Sequence, residues 1–333
     1  MHGTNRLAGL GILTAAAMVM STGAAGAETE LTLVNGFPKN LPLTTILVEN
    51  FVAKVNAAGK GVLQIRHLGG PEVTPPRKAG AALKRGVFDM LETPTSYYAG
   101  LLPEGYMFTG ATRTPAELRA NGAYDLINQS FAAKLNARLI AWGNSESGFY
   151  LYLSRAPKRT PDGGIDLTGM KLRSSPTYVP LIKALGGVPV SVNASEIYTG
   201  LQRGVIQGFG WTDVAVQNLG VKGLVKYRIN PRFYRANTVT IINIDKWKAL
   251  PQKAKKILDD ACQAYEVESV GLFAGEAKKD AAALKAGGMK IITLKGASAK
   301  KYLEVAYDGL WARVGTLIPP SELATLRSKF YAQ

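Results

Sequence analysis

Residues 69–89 read GGPEVTPPRKAGAALKRGVFD, and residues 186–207 read GGVPVSVNASEIYTGLQRGVIQ. Each begins with a Gly-Gly turn, passes a proline-containing strand end, and enters a helix that closes on Leu-x-Arg-Gly-Val, at Leu83–Val87 and at Leu201–Val205. A glycine just past the last helical turn takes the left-handed conformation that a side chain resists. The residues after it, VFDML and VIQGF, read as strands. A five-residue match arises easily by chance, but the shared order of elements around it predicts two similarly built α/β lobes.

Upstream of the first copy, LTLVN from Leu31 reads as a strand that breaks at Gly36-Phe37-Pro38. LPLTTILVENFVAKVNAAGKG then sets Leu43, Leu47, Phe51 and Val55 one turn apart and stops at Gly59, as an amphipathic helix does. VLQIRHL follows as a second strand, which gives a βαβ opening. Downstream of the second copy, the stretch from Pro251 to Lys285 lacks a further proline and repeats apolar residues at helical spacing. At about 1.5 Å per residue such a helix reaches roughly 50 Å. That exceeds one small lobe, so either Gly271 or Gly275 kinks it or it spans both. Its heptads are too short-lived for a coiled coil.

The chain opens with Arg6, an apolar run from about Leu7 to Met20, and Ala25-Gly26-Ala27. This is the layout of a secretory signal peptide over residues 1–27, with cleavage expected between Ala27 and Glu28, and the run is short for a bilayer span. The expected product is exported and soluble. Cys262, the one cysteine, allows neither an intramolecular disulfide nor a lipid-anchored cleavage site. A chain of this length favours two lobes over one core. Loss of residues 1–27 removes Arg6 and no acid, leaving 39 Lys and Arg against 24 Asp and Glu, or +15. Such a charge raises encounter rates with anions. The basic residues are scattered, and no nucleic-acid motif accompanies them.

Catalytic patterns are missing. Beyond residue 27 only His67 remains as a histidine, inside a strand, and there is no G-x-S-x-G elbow, so a structural histidine is expected. One cysteine and one histidine build no zinc site. Neither a P-loop nor a G-x-G-x-x-G turn occurs. Glu146, Asp162, Asp166, Asp259 and Asp260 show no spacing typical of a glycosidase pair. The expectation is no enzyme, no metal and no cofactor.

In open α/β sheets ligands bind beyond the carboxyl ends of strands. Four loops qualify: Asn35-Gly36-Phe37 and Thr93–Tyr98 in one lobe, Arg173–Thr177 and Phe209–Asp213 in the other. An interlobe cleft would then present arginine, aromatic and hydroxyl groups. Guanidinium meets a carboxylate through two parallel hydrogen bonds, as ammonium does not. Arg173, in MKLRSSPT, is thus a candidate anchor for an organic acid, or it pairs with an internal acid such as Asp166 or Asp213. Trp211 and Phe209 suit either the cleft or core packing.

Taken in order, GMKLR, GGVPV, SEIYTGLQRGVIQGFGW, VKYR and INIDKWKALP before the long helix resemble the DctP-type substrate-binding proteins of TRAP transporters, over nearly all of the chain beyond residue 27. The resemblance implies a periplasmic receptor with a periplasmic-binding-protein-like, type II-like fold: two α/β domains joined by hinge strands, with a long helix spanning both. Domain I would comprise 28–150 and about 239–278, and domain II 151–238 and about 279–333. It implies an organic-anion ligand, a permease of small and large membrane subunits as partner, and a monomer. The family's carboxylate-binding arginine falls on Arg173. Asn35, Arg77 and Trp211 fall on positions that contact ligand, and Thr95 and Tyr97 on a cleft loop. A second family arginine is replaced at Tyr150, and a V-D-G-x-E-N-P stretch reads IQGFGWT, with Gly210-Trp211 in place of Glu-Asn. These departures favour a monocarboxylate whose apolar or aromatic body stacks on Trp211 or Tyr150, while Arg77 leaves room for a second acidic group. A sensory receptor without transport and a periplasmic hydrolase using His67 or Glu146 are the rival expectations.

Overall fold

The computed structural model describes residues 1–3 and 28–332; the expected signal-peptide cleavage segment lies largely outside them. Strand β1 (Thr29–Asn35) leads into helix α1 (Pro42–Leu47), which continues through a π-helical turn at Val48–Val52 into α2 (Ala53–Ala58). Gly59 caps α2, and Leu43, Leu47, Phe51 and Val55 are all buried, as their spacing predicts. Each such burial contributes about 1.5–3 kcal/mol. Then come β2 (Leu63–Gly69), α3 (Pro76–Lys84), β3 (Met90–Pro94), α4 (Tyr106–Gly110), α5 (Pro115–Ala120), α6 (Ala123–Leu135) and β4 (Ala137–Ala141).

The second lobe begins with β5 (Gly148–Leu153). A small hairpin, β6 (Lys158–Arg159) and β7 (Ile165–Asp166), precedes β8 (Lys171–Arg173), α7 (Val179–Ala184), β9 (Val188–Val190), α8 (Ile197–Gln202), β10 (Gly208–Thr212) and β11 (Tyr227–Arg235). The chain returns through β12 (Thr238–Asn243) and α9 (Ile244–Ala249) to α10 (Gln252–Ala286), and ends with β13 (Lys290–Thr293), α11 (Gly296–Gly315) and α12 (Pro320–Phe330).

Two sheets result, ordered β2-β1-β3-β12-β4 and β13-β11-β5-β10-β8-β9. They are built alike. In each, three parallel strands (β2-β1-β3 and β9-β8-β10) are followed by one antiparallel strand that has just crossed from the other lobe, β12 or β5. The two repeated stretches occupy matching places as β2-α3-β3 and β9-α8-β10. Gly86 and Gly204 adopt φ of +73° and +69° with open space around them, so the backbone alone demands glycine there. The strands restart later than their sequences suggest. Val87 and Val205 stay exposed in the turns, and pairing begins at Met90 and Gly208.

The lobes meet at two crossings, residues 142–147 and 236–237, which bond to each other. Ala236 N–H donates to Ser147 O at 2.8 Å, and the Trp142 indole N–H donates to Ala236 O at 2.8 Å. Helix α10 runs unbroken past Gly271 and Gly275 for 35 residues. It packs on α2 and β4 in the first lobe and on the 217–219 turn in the second, so it spans both. Glu266 on α10 accepts from Arg119 Nε (2.7 Å) and from Trp142 N–H (2.8 Å) at the first crossing. Asp280, two turns from its end, accepts Val216 N–H at 2.9 Å.

Candidate functional site

The carboxyl ends of β3, β8 and β10 converge between the lobes on a cavity of about 40 Å³, which shares Tyr97 and Arg173 with an adjoining one of about 220 Å³. Arg173 ends β8, where pairing with Phe209 and Val190 on both sides fixes its backbone. Its side chain is 2% exposed. Nε donates to Val192 O at 3.2 Å, and Nη1 donates to the Tyr178 hydroxyl at 2.6 Å and, more weakly, to Gly210 O at 3.4 Å. Tyr178 in turn donates to Gly210 O at 2.5 Å, and its ring edge lies where a side chain on Gly210 would clash. The guanidinium sits 5.4 Å from the centre of the Trp211 ring.

Among the described residues no carboxylate pairs with Arg173. Asp166 accepts instead from Thr168, and Asp213 lies in a separate cavity against Arg232 and α10. Burial opposes the charge on Arg173, but the neighbouring Tyr178 and Tyr97 phenols outweigh it and hold the guanidinium above its ordinary pKa. It is therefore a permanent cation surrounded by neutral groups, a costly arrangement unless an anion completes it.

Aromatic groups supply the walls. Trp211 is 5% exposed, with its indole N–H fixed on Val214 O at 2.9 Å. It meets Phe37 of the other lobe edge-to-face at 6.5 Å. Phe149 lines the same cavity. The half-buried Tyr97 separates the two chambers, and the Arg77 guanidinium lies 5.9 Å from its ring, on the wall of the larger one.

Arg173, Trp211, Tyr97 and Arg77 are thus brought together. The other four expected contacts stand away from the cavity walls. Asn35 is fully buried, donating to Thr44 Oγ1 at 2.6 Å and facing His67 Nε2 at 3.1 Å, so it locks the loop after β1. Thr95 donates to Gly105 O at 2.7 Å. Phe209 stacks on Tyr152 at 5.3 Å in the core. Tyr150 lies beneath the Arg228 guanidinium, 4.4 Å from its ring, while its neighbour Phe149 faces the cavity. His67 is the hydrogen-bonded structural histidine its strand setting suggests, its pKa lowered chiefly by burial. Sequence reasoning missed Tyr178, Phe149, Asn144 and Asn237. For Tyr178 a signal existed, since Pro176 starts a helical turn that carries the tyrosine back over β8.

Two like sheets, paired crossings and a buried cation between them define a two-lobed solute receptor. The profile of the DctP family, described as bacterial extracellular solute-binding protein, family 7, matches residues 36–313, and the chain belongs to this family of receptors, which are not enzymes. It is 21% identical over 287 residues, 83% of this chain and 77% of the relative, to a monocarboxylate 2-oxoacid-binding periplasmic protein of a Nostoc species. Its fold is shared with a TRAP periplasmic solute-binding protein of Desulfovibrio desulfuricans with bound sn-glycerol-3-phosphate (TM-score 0.78, 19% identity, 92% of this chain and 98% of that one). It is shared equally with one of Desulfovibrio salexigens with bound orotic acid (TM-score 0.78, 17% identity, 90% and 98%). Among the described residues there is no cluster of three metal-ligating side chains, and no helix is long and apolar enough to cross a membrane.

Proposed function

We propose that this protein captures a small organic acid in the interlobe cavity, with Arg173 as the carboxylate anchor, and delivers it to a TRAP-type permease of small and large membrane subunits. One observation carries the reading: a nearly fully buried arginine with no carboxylate partner among the described residues. Trp211, Phe37 and Phe149 give the acid's body an apolar, aromatic seat, and Tyr97 and Arg77 form the entrance. Asn35, Thr95, Phe209 and Tyr150 support the walls rather than touch the ligand. The orotic-acid and 2-oxoacid relatives support a carboxylate as the recognised group.

The receptor works as a monomer in the periplasm after cleavage near Ala27. Its two domains are built on the two sheets, and the expected bounds, 28–150 with about 239–278 and 151–238 with about 279–333, are to be shifted in two places. Pairing of β5 within the second sheet supports a first boundary at 142–147, and packing of α12 on α4 and α6 supports giving the last helix to the first domain.

The test is thermal unfolding of residues 28–333 against a panel of organic acids and their uncharged amides. A ligand that binds only the folded state raises its apparent stability. Acids should raise the midpoint where their amides do not; amides as effective as acids, or no effective acid, would overturn the reading.

A further inference from the structure

Asn144 lies in the first crossing and lines the Arg173 cavity. Its φ is +57°, a left-handed conformation in which asparagine is the best tolerated of the larger residues. It is 2% exposed. Oδ1 accepts from Ser147 Oγ, which orients the amide, and Nδ2 then meets no acceptor among the described residues. Its backbone is held from both sides: Asn144 N–H donates to Ser269 Oγ on α10 at 3.4 Å, and Ser147 N–H donates to Asn144 O at 3.3 Å. A buried donor left unmet carries a full desolvation penalty. A strained backbone presenting such a donor to a cavity is a feature of functional sites.

Asn144 also lines the separate cavity that holds Glu146, Asp213 and Arg232, but the charges lining the cleft itself are one-sided. Neither chamber of the cleft is lined by an aspartate or a glutamate, whereas both are lined by Arg173 and the larger one also by Arg77. Two other polar groups on the walls are already engaged, the Tyr178 hydroxyl with Gly210 O and Asn237 Nδ2 with Thr109 Oγ1 at 2.8 Å, while the hydroxyls of Ser96, Tyr97, Ser175 and Thr238 can donate or accept. The charged groups of the cavity are therefore all donors, with no anionic acceptor opposite them. An ammonium brought into it would lose water and find no carboxylate.

We propose that Asn144 is a specificity-determining residue whose Nδ2 donates to an acceptor beside the ligand's carboxylate, so that the site takes acids with an oxo group or ring nitrogen at that position and rejects 2-amino acids. The proposal rests on the reading that Arg173 holds a carboxylate in this cavity. Because Asn144 belongs to a crossing, the same hydrogen bond ties the ligand to the hinge.

Phenylpyruvate, 3-phenylpropanoate and L-phenylalanine share a body and a carboxylate and differ at carbon 2; pyruvate, propanoate and L-alanine repeat the series at smaller size. Calorimetric titration of each into the wild-type chain, Asn144→Gly and Asn144→Asp is the experiment. Glycine accepts the left-handed backbone and removes the amide. For the body size that fits, the wild type should bind the oxo acid about tenfold or more tighter than the unsubstituted acid, with the amino acid weakest. Asn144→Gly should erase that preference by lowering oxo-acid affinity to the level of the unsubstituted acid, and Asn144→Asp should favour the amino acid over the oxo acid. Equal wild-type affinity for oxo and unsubstituted acids, tight amino-acid binding, or uniform weakening of all ligands by Asn144→Gly would overturn the proposal. Should the thermal panel find an acid while neither oxo acid binds, the Asn144 assignment fails and the carboxylate reading stands. Failure of every acid removes both.

Discussion

Two buried ionisable groups of opposite kind, Arg173 at the end of β8 and Glu92 within β3 of the other sheet, answer burial differently. Arg173 stays ionised because its neighbours are phenols and carbonyls that favour the cation. Glu92, on β3 and fully buried, has a carboxyl oxygen with no partner, and burial pushes its pKa up to about 8. The folded state thus holds that proton more tightly than the unfolded chain does. The stability this contributes is complete below the ordinary carboxylate pKa and is lost as pH rises through about 8. Glu92→Gln keeps the neutral form, so the variant should lose less stability than the wild type between about pH 5 and about pH 9, read by urea denaturation. Arg173 was legible in the sequence as a charge at a strand end. Its choice between an internal acid and a ligand was not, because Asp166 and Asp213 are excluded only by where their own loops turn. Similarly, Phe149 and Tyr150 are adjacent in sequence, and only the sheet's pairing decides which one faces the cavity.

At the scale of elements, α10 is the member that holds both lobes, through Glu266 at the crossing and Asp280 beyond it. Its span was legible from length and the absence of proline, while its continuity past both glycines was not. Gly271 and Gly275 are helix weak points by propensity alone, yet tertiary contacts at both ends keep the rod continuous. Gly271 is exposed, and a Cβ there would meet nothing within 4 Å. Gly271→Ala should therefore stabilise the protein by about 0.5–1 kcal/mol, measured by chemical denaturation, with ligand affinity unchanged. The repeated Leu-x-Arg-Gly-Val turns were read correctly for the same local reason, a positive φ that admits glycine. Both strand starts were missed by three residues, Val87 for Met90 and Val205 for Gly208, because an exposed valine after such a turn resembles the first residue of a strand.

For the molecule as a whole, the repeated stretches foretold two lobes, but not that each sheet is completed by a strand crossing from the other. That exchange depends on long-range pairing of β5 and β12, which local pattern does not encode. It places Asn144, Ala236 and Asn237 at once in the hinge and in the cavity wall. The chamber of about 40 Å³ between Arg173, Trp211 and Phe149 has little more room than a water or two, so an acid whose body is to sit there, beyond the adjoining chamber of about 220 Å³, needs the lobes to part. Small-angle scattering should accordingly show a larger radius of gyration for the free chain than for the chain saturated with its acid. An unchanged radius would contradict hinge closure. The most direct test of the central claim is calorimetric titration of the tightest-binding acid into wild type and Arg173→Lys, which keeps the charge and loses the planar fork. Affinity should fall by about 100-fold or more while thermal unfolding stays cooperative; an affinity equal to that of the wild type would contradict Arg173 as the carboxylate anchor.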